Sequence, residues 1–305
     1  MLSNFKNKIA KGLTSSISKE AYALFEKNQL LLGKIKSDFN IVYADRFSSL
    51  NEFEFSVFSQ FGEDGIIQYL VNKINLTNRI FVEFGVENYK ESNTRFLLMN
   101  DNWHGLIIDG SIENIEQIKK SEIYWKYDLQ ARAEFITKEN INEILIKEKI
   151  QGDIGLLSID IDGNDYWVWD AISVIRPQIL VIEYNSLFGN KRTITVPYDK
   201  DFYRLKYHYS GLVFGASLPS LVDLSDKKGY YFIGCNKMGN NAFFVRRDCG
   251  FDLKSVSVEQ GYKTAGFRES RSMDGTLSYL RANEKHEAIK GVKVFNTETK
   301  QIEFL

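Results

Sequence analysis

Two cysteines in 305 residues, Cys235 and Cys249, leave no means of building a zinc cluster or a disulfide framework. That scarcity fits a reducing compartment, and the expected location is the cytoplasm. Three prolines exclude a proline-rich linker, and no internal repeat or low-complexity segment interrupts the chain. Neither basic nor acidic residues are in excess. Thirty-nine basic residues against 40 acidic give a net charge of −1, which argues against nucleic acid held by broad phosphate neutralisation. The lysine-studded first 36 residues contain no apolar run long enough for a secretion signal or a membrane span, so no transmembrane segment is expected.

What is present is ordinary globular material, 44% hydrophobic and 26% charged. Near the start, Leu2, Phe5, Ile9 and Leu13 fall close to helical spacing, with lysines on other faces. This predicts an amphipathic helix that packs on the body or on a second subunit, a membrane surface being the alternative. A homo-oligomer is expected on the same ground.

From residue 80 a regular alternation begins. "RIFVEFG" (79–85), "HGLIIDGS" (104–111), "EIYWKYD" (122–128), "DIGLLSID" (153–160) and "PQILVIEYN" (177–185) read as five strands. Helical stretches separate them: "SNTRFLLMND", "IENIEQIKK", "TKENINEILIKEK" and "DYWVWDAISVI". Strands alternating with helices predict parallel βαβ units covered on both faces. A helix closed by Gly229 and a hairpin over "YYFIGCNKMGNNAFFVRRD" follow. The expected fold is α/β, a Rossmann-like, doubly wound, mostly parallel seven-stranded sheet with a C-terminal antiparallel hairpin. Residues 1–54 are expected to form a helical extension, 55–250 the main domain and 251–305 a C-terminal extension serving as substrate lid or oligomer contact.

In such a sheet ligands bind beyond the carboxyl ends of the strands, where strand order reverses. An acid is expected at each of those ends: Glu83, Asp109, Asp128, Asp160 and Glu183. Any one of them could simply cap the next helix. Five on one rim repel each other unless a cationic ligand, a metal or raised pKa values offset the repulsion. The first turn, "EFGVENYKESNT", supplies Gly85 alone, followed by acids, so it does not offer the glycine-rich cradle of a pyrophosphate. A cationic ligand carrying a ribose fits better, with Asp109 on the ribose hydroxyls and Asp128 beside an adenine amino group.

The element order, together with "FVEFGVENYKESNT", "WHGLIIDGS", "YDLQ" and "SIDIDGNDYWVW", resembles a class I S-adenosylmethionine-dependent methyltransferase. More narrowly, "FSQFGEDGII" (58–67), "IEYN" (182–185) and "NAFFVRRD" (241–248) resemble the branch related to FkbM-type enzymes, many of which methylate sugar hydroxyls. The resemblance spans about residues 55–250. It implies S-adenosylmethionine as cofactor, held by Gln60, Glu83, Gly85, Val86, Asp109, Gly110, Ser111, Asp128 and Asp160. It also implies a sugar or nucleotide-sugar acceptor for surface polysaccharide, capsule or lipopolysaccharide, contacted by Asn164, Glu183, Tyr184, Asn185 and Asn241.

Strands one and four would be neighbours at the switch point, which sets Asp160 and Asp162 opposite the loop after Glu83. A sugar hydroxyl is a poor nucleophile until a base or a metal takes charge of its proton. Two mechanisms fit. In one, Asp160, Asp162 and Glu183 hold Mg²⁺ through oxygen ligands. In the other, a carboxylate or His208 is the general base. Asp165 is expected to cap the following helix, and Asp162 to Asn164 is also good turn chemistry. Lys263, Arg268 and Arg271 lie in a tail read either as a solvated loop or as a phosphate clamp. Two rivals stand: a glycosyltransferase using Asp160-Ile161-Asp162 to hold a metal and a nucleotide-sugar diphosphate, and a non-catalytic binding subunit that keeps the fold.

Overall fold

The computed structural model describes residues 2–249 and 255–305, with side chains described from residue 20 onward apart from Tyr22. A long helix, α1 (Leu2–Val42), leads through two short 3-10 turns into α2 (Glu63–Lys73). The chain then alternates through β1 (Ile80–Phe84), α3 (Arg95–Asn100), β2 (His104–Asp109), α4 (Ile112–Lys120) and α5 (Glu122–Lys126). Next come β3 (Leu129–Ala133), α6 (Ile141–Lys147), β4 (Gly152–Ile159), α7 (Asp165–Ala171) and β5 (Ile175–Glu183). After β6 (Ile194–Thr195), α8 (Arg204–Tyr207) and α9 (Leu218–Lys227), the hairpin β7 (Tyr230–Cys235) and β8 (Asn241–Arg246) completes the main body. The tail holds α10 (Val258–Gly261), α11 (Ala282–Ala288), β9 (Lys293–Asn296) and β10 (Gln301–Phe304).

The main sheet has seven strands in the order β3-β2-β1-β4-β5-β8-β7. Its first five are parallel, and β8 runs antiparallel to both β5 and β7. This is the predicted doubly wound sheet with its terminal hairpin. Helices cover both faces, so the central strands are near-continuous apolar runs. Val82, Phe84, Ile159, Leu180 and Ile182 pack into one layer, and Phe81, Leu156, Ile179, Val181 and Phe243 into the other. A second, three-stranded sheet, β10-β9-β6, ties the tail back to the segment after β5. None of the described helices is long and apolar enough to cross a membrane.

The third strand departs from expectation. "EIYWKYD" is rich in β-formers, yet Glu122–Lys126 is helical, steadied by a Glu122–Lys126 ion pair one turn apart, and it leaves Trp125 exposed. The strand is the next segment, "LQARA", with Leu129 and Ala131 turned inward. Asp128 therefore precedes β3. Its carbonyl accepts the Gly105 amide at the start of β2, at the end of the sheet away from the other acids.

Candidate functional site

The topology reverses between β1 and β4, which are hydrogen-bonded neighbours with Glu83 beside Ser158 and Phe84 beside Ile159. Beyond their carboxyl ends opens a cavity of about 640 Å³, within the usual range for small-molecule sites. Nine carboxylates line it: Glu83, Glu87, Glu91, Asp109, Glu134, Asp160, Asp162, Glu183 and Glu269. Among the described residues, Arg204 is the one cationic side chain of the lining.

On the β1 side, each acid organises a turn. The buried Glu83 carboxylate accepts from Ser92 Oγ, Asn93 N–H, Thr94 N–H and Thr94 Oγ1, which folds the loop after β1 back over the strand end. Burial nevertheless pushes its pKa up. Gly85 has φ of +75°, and a Cβ there would lie 1.5 Å from the Asp160 carbonyl oxygen, so the two loops touch backbone to backbone. Asp109 accepts from Glu87 N–H at 2.7 Å and Ser111 N–H at 2.8 Å, which pins its carboxylate at the cavity wall. Gln60 and Val86 also face the cavity, as does Gly110. Ser111 does not line it. Its hydroxyl caps α4 by accepting the Asn114 N–H.

On the β4 and β5 side, the crowded acids divide their labour. Asp165 is fully buried and does not cap its own helix as expected. Its carboxylate reaches back to accept from Ile161 N–H and Gly163 N–H, both at 2.9 Å, and so shapes the loop that presents Asp160 and Asp162. Burial, chiefly, pushes Asp165 up to about 6. Asp162 sits at φ +56° and pairs with Arg204 at 2.5 Å. Asp160, Asp162 and Glu183 each place a carboxylate oxygen within 4.8 Å of the others. Asp160 and Glu183 both titrate well above the carboxylate range, first because they are desolvated and then because each faces the other's charge or that of Asp162. Two desolvated carboxyls facing each other favour keeping one proton on the pair.

Three buried acceptors around the cavity have no hydrogen-bond partner: Glu183 Oε2, Asn164 Oδ1 and Asn241 Oδ1. Their amide groups are engaged elsewhere, Asn164 with the Asp199 carbonyl and Asn241 with Glu63 Oε1. Buried polar atoms in native proteins are nearly always satisfied, so these three oxygens can accept from water or from a ligand.

Several expected residues stand elsewhere. Asp128 is at the opposite end of the sheet. Tyr184 donates to the Lys263 carbonyl, and Asn185 donates to the Leu212 and Phe214 carbonyls, so both brace the surrounding loops and neither lines the cavity. His208 is also absent from the lining. Its Nδ1 lies 2.7 Å from Ser210 Oγ, and burial lowers its pKa. Arg268 and Arg271 are tied to the Tyr279 and Gly275 carbonyls within the tail.

Unforeseen residues take their places. Glu134, Phe135 and Ile136 follow β3 where Asp128 was expected. Phe202, Tyr203, Phe214 and Phe267 give the acidic cavity an aromatic wall. Arg204 stacks 4.6 Å from the Phe214 ring centre, donates to the Gly211 carbonyl at 2.7 Å and approaches Glu269 at 3.9 Å. It thereby joins three segments over the site. Only the aromatic-rich, irregular stretch after β5 hinted at this group.

No protein-family model matches the sequence, and no curated protein matches it. Solved structures with a similar course include the N-terminal domain of EvdMO1 with SAH bound, at 10% identity and a TM-score of 0.41, covering 62% of this chain and 81% of that one. An S-adenosylmethionine-dependent methyltransferase from Clostridium acetobutylicum ATCC 824 is 12% identical, with a TM-score of 0.39 over 68% of this chain and 98% of its own. M. capricolum TrmK in complex with S-adenosyl-homocysteine is 10% identical, with a TM-score of 0.37 over 65% and 74% respectively. At these scores the functional reading rests on the residues of the site.

Proposed function

We propose that this protein is an S-adenosylmethionine-dependent methyltransferase acting on a hydroxyl oxygen of a sugar. The observation that carries the reading is the cavity at the switch point, ringed by nine carboxylates against one guanidinium, with three buried acceptors lacking donors. Such a site favours a ligand that brings positive charge and many donors, and it disfavours a pyrophosphate.

The residues present suit the cofactor. Asp109, fixed by two backbone amides, would take the ribose hydroxyls, Phe135 and Ile136 the adenine, and the loop from Glu83 to Val86 the methionine part. Bound there, S-adenosylmethionine supplies an electrophilic methyl group on a sulfonium. The chain's own task is to place the acceptor and receive its proton. The Asp160–Glu183 pair is suited to that task, because carboxyls held above the usual range accept a proton near neutral pH. Asn164 Oδ1 and Asn241 Oδ1 would take sugar hydroxyl donors, and the aromatic wall would cover the sugar's apolar face. The convergence of Asp160, Asp162 and Glu183 favours a second version, in which these three hold Mg²⁺ and the metal acidifies the hydroxyl. In that version Arg204 must release Asp162.

A sugar destined for surface polysaccharide is the acceptor class supported by the sequence resemblance. The acidic cavity supports a reading in which the sugar enters it and any nucleotide diphosphate stays outside. The test is calorimetric titration with S-adenosylhomocysteine, with and without Mg²⁺, alongside Asp109→Ala. Micromolar affinity that falls at least about tenfold in the variant is expected, since a hydrogen bond to a charged group contributes about 1.5–3 kcal/mol. Absence of binding under both conditions overturns the proposal. Binding of a nucleotide sugar with Mn²⁺ instead would favour the glycosyltransferase reading.

A further inference from the structure

From residue 20 onward helix α1 turns a face of small and polar residues to the body and leaves an apolar face exposed. Gly33, Ser37 and Asn40 are buried against the body: a Cβ at Gly33 would meet Val57 and Phe96, Ser37 donates to Gln68, and Asn40 donates to the Phe53 carbonyl. Two residues on from Gly33, about 200° round the helix, begins a second face. It carries Leu24, Phe25, Leu31, Leu32, Ile35, Phe39 and Val42, each between 47% and 74% exposed. Among the described residues nothing covers it.

Much of this face repeats every seven residues, although Asp38 stands where a third leucine would continue the pattern. Residues 28, 35 and 42 are Asn, Ile and Val, and residues 24 and 31 are both Leu. β-Branched residues at one core position of a heptad with leucine at the other favour a two-stranded parallel coiled coil, and a single buried asparagine fixes its register. Residues 25, 32 and 39, Phe, Leu and Phe, widen the stripe. Lys27 and Lys34 flank it, with stems long enough to cover its edge.

We propose that residues 24–42 of α1 pair in parallel with the same segment of a second copy, with Asn28 facing Asn28 across the axis. A repeat of seven, shorter than two full helical turns, drifts round a lone straight helix and stays in line only when two helices supercoil. The apolar area is also sufficient. The seven side chains expose roughly 700 Å² per copy, close to the ~800 Å² per partner of a standard interface. Because the stripe faces away from the body, the two bodies sit on the outside of the pair without obstruction.

Sedimentation equilibrium of the full chain at tens of micromolar tests this. The wild type should be a dimer, and the double variant Leu31→Glu, Ile35→Glu a folded monomer, since both side chains are exposed in the single copy. The variant should still melt cooperatively, at a temperature that, unlike that of the wild type, does not vary with protein concentration. Asn28→Cys should cross-link quantitatively to itself on oxidation, because Cys235 and Cys249, at 2% and 5% exposure, are too buried to compete. A monomeric wild type overturns the proposal, and so does a dimer that survives the double variant. A monomer that co-floats with phosphatidylserine-containing vesicles would give the face to a membrane surface instead. Loss of the dimer in the double variant without cross-linking at position 28 would exclude parallel pairing.

Discussion

The two ends of the main sheet each carry a charged cavity, one lined mostly by basic and the other mostly by acidic side chains, and they treat that charge in opposite ways. At the amino end, a second cavity of about 340 Å³ is lined by Arg176, Lys228, Arg246 and Arg247. The three arginines there are matched. Arg246 donates to both oxygens of Asp153 and to Asp248, Arg176 donates to Asp153, and Arg247 pairs with Asp226. The hydrogen bonds from Arg246, foremost, hold Asp153 below the usual carboxylate range. At the carboxyl end, nine acids meet a single arginine, and acceptors are left without donors. What differs is whether the chain completes its own pairs. A closed network stabilises a fold, and an open one awaits a ligand.

That contrast can be broken from either end. The largest effect is expected from Glu183→Gln, which removes half of the proton-sharing pair while keeping its shape. Methyl transfer, measured with radiolabelled cofactor, should fall about 10²- to 10⁴-fold, with S-adenosylhomocysteine affinity and melting temperature retained. A fall in stability with activity intact would make Glu183 structural. At the other end, Arg246→Met should lower the free energy of urea unfolding by about 2 kcal/mol. Stranding one partner of a buried pair costs more than that, but Asp153 keeps some access to water. Its ligand affinity should not change.

The smallest and most specific effect concerns pH. Asp64 is buried, and desolvation pushes it up to about 6 although its carboxylate accepts from Val57, Phe58 and Ser59 N–H. Its folded pKa lies above its unfolded value of 3.8, so between pH 4 and 6 the folded state binds more protons, and stability falls as pH rises through that window. Asp64→Asn keeps one acceptor oxygen and cannot ionise. The variant should lose up to about 2 kcal/mol of that slope in urea titrations at pH 4.5 and 6.5. An unaltered slope would show that Asp64 stays ionised throughout.

The sheet was legible because its strands are unmistakable: buried on both faces, they read as apolar runs stopped by an acid or a glycine. β3 was not, because "LQARA" buries only two small or medium side chains and its neighbour "EIYWKYD" has the stronger β composition. The error moved Asp128 to the wrong end of the sheet, since an acid's end depends on which residue the strand ends on. Glu83, Asp109, Asp160 and Glu183 could be read because each follows such a run. Tyr184 and Asn185 follow one equally well, and only three-dimensional packing shows that their side chains brace loops. Arg204, Phe202, Tyr203 and Phe214 come from a stretch with neither helical nor strand period, and Phe267 from the tail; in both, side-chain direction is set by tertiary contacts that sequence spacing does not encode.

The wall of the cavity is assembled from both ends of the chain's length. Gln60 stands on one side, Phe267 and Glu269 on the other, and the segment that carries Arg204 rests on β6, whose strand partner is β9 at Lys293–Asn296. During synthesis, the seven-stranded sheet can close once residue 246 has left the ribosome, but the pocket beyond it cannot. Some fifty residues must still emerge before β9 can pair with Ile194 and Thr195. The core can thus be complete while the wall of the cavity beyond it is still missing its last strand support.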